Sequence, residues 1–131
     1  MSISTTAGCQ FCHLDPSKQL FSNDSAIAIA DGFPLSRGHS LIIPRRHFPS
    51  LFEATEKEME SLWELLAKTR AYLTTQYHPD GFNIGINDGI AAGQTVMHLH
   101  IHLIPRYSGD AEDPRGGIRW VIPDKARYWK D

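Results

Sequence analysis

Apolar and polar positions alternate in several short runs of this chain, and one long stretch between them follows a different period. Ser25–Asp31, SAIAIAD, predicts a strand, and His39–Pro44, HSLIIP, predicts a second that the proline stops. Between them Phe33–Gly38, FPLSRG, reads as a loop punctuated by Pro34 and Gly38. Then Met59, Leu62, Trp63, Leu66 and Leu73 recur at helical spacing, so one helical face is expected to pack on a core. Thr55 with Glu58 three residues on makes a capping box, in which each residue satisfies a free amide at the helix start. Pro79 and Gly81 are expected to end the helix. Phe82–Asp88, FNIGIND, returns to a period of two, and NDGIAAG turns the chain back into an antiparallel neighbour that runs through Gln94–Arg106. After a polar loop, Ile118–Pro123, IRWVIP, predicts a last short strand. Hairpin strands with one long helix make an α+β fold, an antiparallel sheet of about five strands with the helix packed on it.

The length of 131 residues fits a single domain over 1–131 and a core that needs no disulfide. A formal net charge of −2 leaves no basic surplus for a nucleic-acid partner. Met1–Gly8 carries no positive cluster followed by an apolar run, and no stretch approaches membrane-spanning length, so a cytoplasmic protein without a membrane partner is expected.

The most informative stretch is QTVMHLHIHLIPR, Gln94–Arg106. On a strand His98, His100 and His102 share one face, with Cα atoms about 6.6 Å apart in succession and roughly 13 Å apart at the ends. One metal ion is hard to wrap with all three; two neighbours could bind one, or one imidazole does chemistry while the others position it. A single histidine there would read as part of a solvated face. Three, with Gln94 further along the same face, ask for chemistry, and imidazole serves as base, acid or nucleophile near neutral pH.

His98-Leu99-His100-Ile101-His102-Leu103-Ile104 resembles the signature of the histidine triad family, and so do the preceding NDGIAAGQTV, the following Pro105-Arg106, and AIADGFPLSRGHSLIIPRRH upstream. The likeness runs from about Cys9 to Arg106. It implies that family's fold and a nucleotide-phosphate hydrolase or transferase. His100 would attack the α-phosphorus, form a covalent nucleotidyl-histidine, and yield the nucleoside monophosphate to water. The backbone carbonyl of His98 would fix the tautomer of His100. His102, Gln94 and Asn87 would bind the phosphoryl oxygens, and Thr95 would assist the leaving group. His39 matches a fourth histidine of the family, and Asp31 matches a residue that holds the ribose. Asp31 and Asn87 also read simply as turn residues. The tail, about 107–131, carries DPRGGIRWVIP, similar to tails of bacterial members labelled polyphosphate hydrolases. Arg115 and Arg119 could hold extra phosphates and Trp120 could stack on a base, which favours dinucleoside polyphosphates such as diadenosine tetraphosphate. Nucleoside phosphoramidates are the alternative substrates. A non-catalytic nucleotide-binding module and a metal-dependent hydrolase using His98 and His100 are the alternative functions. The resemblance also implies a symmetric homodimer.

Cys9 and Cys12 are the only cysteines, and CQFCH reads three ways. It has the c-type haem attachment pattern, but no export signal accompanies it. It could be a redox pair, but no strand precedes it as in thioredoxin-like sites. Two thiolates can also begin a tetrahedral zinc site that needs two further ligands. One branch of the histidine triad family completes such a pair with residues that here are His47 and His98. The resemblance thus implies a structural zinc on Cys9, Cys12, His47 and His98, bound through the segment at about 9–13, and no organic cofactor. His13 and His78 read as surface residues.

Overall fold

The computed structural model describes residues 6–130. Met1–Thr5, the start of the stretch read above for a leader, and Asp131 lie outside the described residues. Five strands form one sheet: β1 (Gln19–Ser22), β2 (Ala26–Ala30), β3 (Ser40–Pro44), β4 (Gly81–Gly85) and β5 (Ile101–Arg106). Their spatial order is β1-β2-β3-β5-β4, and every neighbouring pair is antiparallel. One long helix, α1 (Glu56–Tyr77), crosses the sheet, and a single turn, α2 (Pro123–Ala126), lies near the C-terminus. This is the expected α+β architecture. No described helix is long and apolar enough to cross a membrane.

The sheet is covered on both faces, which explains the near-continuous apolar character of β2 and β3. Ala26, Ala28, Ile42, Leu99, Ile101 and Leu103 meet Leu62, Leu65, Leu66 and Leu73 of α1. Ile27, Ile29, Leu41 and Ile43 face the other way and pack against Cys9 and Phe11 of the N-terminal segment. Leu41 pairs with His102 across β3 and β5, so the histidines belong to this second face, away from the helix.

Thr55 caps α1 as expected: its hydroxyl accepts from the Glu58 amide at 3.1 Å, and Glu58 Oε1 accepts from the Thr55 amide at 2.9 Å. The buried stripe, however, runs through Leu62, Leu65, Leu66, Thr69 and Leu73, while Met59 and Trp63 are exposed. Both groups satisfy a helical period; the position of the sheet selects between them. The helix ends at Tyr77 with His78 in the left-handed conformation (φ 52°), and Gly81 already begins β4.

The five strands are not the five expected. Ile118–Pro123 forms no strand: Gly117–Val121 is a 3-10 turn, and Pro123 opens α2. Gly116 and Gly117 both have positive φ (88° and 45°) and turn the chain just before it, while Pro123 supplies a φ suited to a helix start. The fifth strand is β1, which pairs with β2 through an irregular register. The hydrogen-bonded part of β5 starts at Ile101, so His98 and His100 precede the ladder.

Candidate functional site

The alternation seen in the sequence fixes where the imidazoles go. Leu99, Ile101 and Leu103 are buried beneath α1, which sends His98, His100 and His102 to the opposite face. The three rings then meet different partners. His98 is fully buried, and its Nε2–H donates to the Pro44 carbonyl at 2.7 Å. Its Nδ1 is therefore bare, since a neutral imidazole carries one proton. Burial is also the main force holding His98 below the usual imidazole pKa. His100 is half-buried, and its Nδ1–H donates to the His98 carbonyl at 2.8 Å, leaving Nε2 with the free lone pair. Phe11 and His102 bracket this ring edge-on, with centroids 5.2 and 5.3 Å away.

His100 and His102 line an open cleft of about 720 Å³, which Asp31, Asn87 and Thr95 also line. Phe11, Leu14 and Lys18 of the segment around and after the cysteines also line it, as does Phe33 from the loop after β2. Its size and its mixture of apolar wall and convergent polar groups suit a small organic ligand. Behind His102 lies His39, 4% exposed, with its Nε2 3.0 Å from His102 Nδ1 and 3.4 Å from Asp31 Oδ2. Burial lowers the pKa of both His39 and His102, with the Asp31 charge opposing it. Both shifts favour the neutral ring.

Gln94 stands apart from the other candidates. Its amide hydrogens go to the Pro49 and Val96 carbonyls at 3.0 and 3.1 Å, and its oxygen accepts from the Gly89 amide at 2.9 Å. It pins the turn that carries Gly93 and Thr95 into the cleft.

At the other end of the histidine row, Cys9, Cys12, His47 and His98 converge, with their ligating atoms all within 4.8 Å of one another. Cys9 Sγ and Cys12 Sγ each lie 3.5 Å from His98 Nδ1, Cys12 Sγ lies 3.3 Å from His47 Nδ1, and the two Nδ1 atoms are 3.2 Å apart. A tetrahedral zinc with ordinary bonds needs ligand atoms about 3.3–3.8 Å apart. Desolvation and the neighbouring Cys9 push the Cys12 thiol up, an effect that a cation between the sulfurs would reverse. The donor set, its spacing and the bare Nδ1 of His98 all fit such an ion.

The C-terminal tail is largely occupied with itself. Arg115 pairs with Asp113, and Arg119 donates to the Ala126 and Lys125 carbonyls. Trp120 Nε1–H donates to the Arg115 carbonyl, and the Arg127 guanidinium stacks on its ring. Trp120 and Arg127 border a separate hollow, while none of Arg115, Arg119 and Trp120 lines the histidine cleft. Sequence reading missed Phe11, because a lone aromatic between two cysteines carries no pattern that points to His100, far along the chain. The apolar Phe33 and Leu35 in a loop, 90% and 77% exposed, were the available sign that this loop edges a site.

Comparison with known proteins agrees with this geometry. The HIT domain family model matches residues 14–109. An uncharacterised HIT-like protein of Mycoplasma genitalium is 38% identical over 112 residues, 82% of this chain and 79% of that protein. An adenylylsulfatase of Arabidopsis thaliana is 37% identical over 106 residues, 78% of this chain but 54% of that protein. A zinc-bound histidine triad family protein from Mycobacterium smegmatis superposes with a TM-score of 0.72 at 29% identity, covering 97% of this chain and 85% of that one. A HIT family protein from Bacillus anthracis gives a TM-score of 0.75 at 31% identity over 81% of this chain and 78% of its own. The chain belongs to the HIT domain family.

Proposed function

We propose that this protein is a nucleotide-phosphate hydrolase that works through a covalent nucleotidyl-histidine on His100. The observation that carries the reading is the His100 Nδ1–H bond to the His98 carbonyl at 2.8 Å, at the edge of the cleft. In the neutral ring it leaves Nε2 with the free lone pair of a nucleophile that needs no base. In the first step Nε2 bonds to the α-phosphorus, the bond to the leaving group breaks, and the leaving group takes up a proton. In the second, water bonds to phosphorus, the phosphorus–nitrogen bond breaks, and the water proton passes to solvent. Two displacements give net retention at phosphorus. His102 and Asn87 donate to the phosphoryl oxygens, Thr95 assists the leaving group, and Asp31 accepts from the ribose hydroxyls; their shared place around the cleft supports these roles. Gln94 contributes by shaping the turn, since its amide is already engaged.

For the substrate we favour dinucleoside polyphosphates of the diadenosine tetraphosphate type. A bis(5'-nucleosyl)-tetraphosphatase of Schizosaccharomyces pombe is 40% identical over 77 residues, 59% of this chain and 42% of that protein. The chain spans about half the length of that relative and of the adenylylsulfatase. Nucleoside phosphoramidates require the same nucleophile and differ only in the leaving group. Structural zinc is the second part of the proposal: Cys9, Cys12, His47 and His98 would hold it, and it would supply a cross-link between the N-terminal segment and the residues leading into β5 without entering either displacement. A homodimer is the third part, supported by exposed apolar side chains: Trp63 on α1 and Ile84 on the edge strand β4.

The test is intact-mass spectrometry of protein quenched during turnover of a panel of dinucleoside polyphosphates and phosphoramidates. A nucleoside monophosphate adduct is expected on the wild type and none on His100→Ala, whose turnover should fall by roughly six orders of magnitude, as when other covalent nucleophiles are removed. Near-normal turnover by His100→Ala, or inversion at phosphorus, would sink the mechanism.

A further inference from the structure

Asp31, His39 and His102 offer the residue types of a divalent-cation site, with ligating atoms within 4.8 Å of one another. What lies behind His39 decides against that use. The Leu35 amide N–H points at His39 Nδ1 from 3.0 Å, so Nδ1 accepts. The single proton of a neutral His39 therefore sits on Nε2, where it blocks metal binding and faces His102 Nδ1 at 3.0 Å. His102 Nδ1 must then accept, and the His102 proton is left on Nε2. The reverse order would set a His39 Nδ1–H against the Leu35 N–H, two donors face to face. Asp31 Oδ2, 3.4 Å from His39 Nε2 and 4.0 Å from His102 Nδ1, can share the same proton without changing the order.

The amide that starts this chain is held in place. Ser36 Oγ donates to the Pro105 carbonyl at 2.6 Å, and Tyr107 Oη donates to the Arg37 carbonyl at 2.7 Å, which ties the loop to the end of β5. Gly38 (φ 92°) packs so closely on the Tyr77 ring that a Cβ would come within 3.0 Å of it.

We propose that His39 is a positioning residue: together with the Leu35 amide it locks His102 in the Nε2–H tautomer, so that His102 offers the cleft a hydrogen-bond donor. A donor there suits an anionic oxygen, and the same trio does not take up a cation. The tautomer follows from the geometry alone; only what the donor meets rests on the phosphoryl-transfer reading.

The experiment is a long-range proton–nitrogen correlation spectrum of zinc-loaded protein labelled with ¹⁵N-histidine, with His102 assigned by its loss in His102→Ala. Bare Nδ1 and protonated Nε2 are expected for both His39 and His102. His39→Leu should mix the two tautomers of His102 and lower kcat by roughly 10²-fold, as when one oxyanion donor is lost, with KM little changed. His39→Gln, which can present an amide N–H to His102 Nδ1, should restore the tautomer and part of the rate. A protonated Nδ1 on wild-type His102 would overturn the proposal, as would a second equivalent of zinc that shifts the His39 and His102 signals. So would an unmixed tautomer with unimpaired kcat in His39→Leu. If His39→Leu does not fold, the wild-type spectrum and His39→Gln still decide. The expected tautomer in a protein that turns over no nucleotide would support this inference and count against the hydrolase reading alone.

Discussion

Two clusters of metal-ligating side chains lie on one face of the sheet, and they differ in the backbone group that backs a key imidazole. Behind His98 is a carbonyl, that of Pro44, which accepts from Nε2–H and leaves Nδ1 bare toward Cys9, Cys12 and His47. Behind His39 is an amide, that of Leu35, which claims the Nδ1 lone pair and leaves the proton facing His102. Residue type and distance alone make both clusters candidates. The far-side partner separates a ligand from a donor, because a neutral imidazole has one proton to place. The ends of β3 build both arrangements: Pro44 closes the strand, and His39 precedes it.

The strongest way to break this comparison is to remove ligands from each cluster and count metal. Elemental analysis of zinc-loaded protein is expected to find about one ion per chain, lost in Cys9→Ser, Cys12→Ser and His47→Ala but retained in His39→Ala. The first three should lower the thermal midpoint on the order of 10 °C or more, because a structural ion contributes folding free energy directly. Two ions per chain, or an ion lost with His39, would erase the distinction.

The next largest effect tests the segment that joins the clusters. Leu99 is fully buried beneath α1, and its amide donates to the Phe48 carbonyl at 2.7 Å. Leu99→Ala should cost roughly 2–5 kcal/mol in denaturant unfolding, the range for emptying a core leucine site. It should also slow turnover by loosening His98 and His100 on either side. A loss under about 1 kcal/mol would mean that this row is not anchored by the helix-side core.

These features were unequally legible in the sequence. The histidine row, the helix cap and strands β2 and β3 could be read because each is a local pattern whose period matches the backbone. Strand β1, QLFS, is four residues with no clean alternation and exists because β2 offers it an edge. Ile118–Pro123 has the composition of a strand, but two glycines at positive φ and a helix-opening proline take it elsewhere. Met59 and Trp63 keep the helical period on a flank the sheet does not cover. The tautomer of His98 was out of reach, since the Pro44 carbonyl meets its ring from fifty-four residues away and only folding brings them together.

The smallest expected effect concerns how His47 is carried to its cluster. Its neighbour Arg46 grips Glu58 at the start of α1, with Nε to Oε2 at 2.9 Å and Nη2 to Oε1 at 2.8 Å. This bond, together with the Thr55 amide, lowers the Glu58 carboxyl from 4.5 to about 2. A depressed carboxylate stabilises the fold above its unfolded pKa and loses that contribution as pH falls toward the folded one. Arg46 is half exposed, so solvent screens the pair, and Glu58→Gln should cost on the order of 1–2 kcal/mol at neutral pH. The difference between wild type and Glu58→Gln should shrink steadily as pH falls from about 4.5 toward about 2. Reading the difference rather than either stability cancels the acid sensitivity of the cysteine–histidine cluster, which both proteins share. A difference that stays constant across that range would show that Arg46 holds the segment by packing on Phe48, 4.3 Å from its ring centre, rather than by charge.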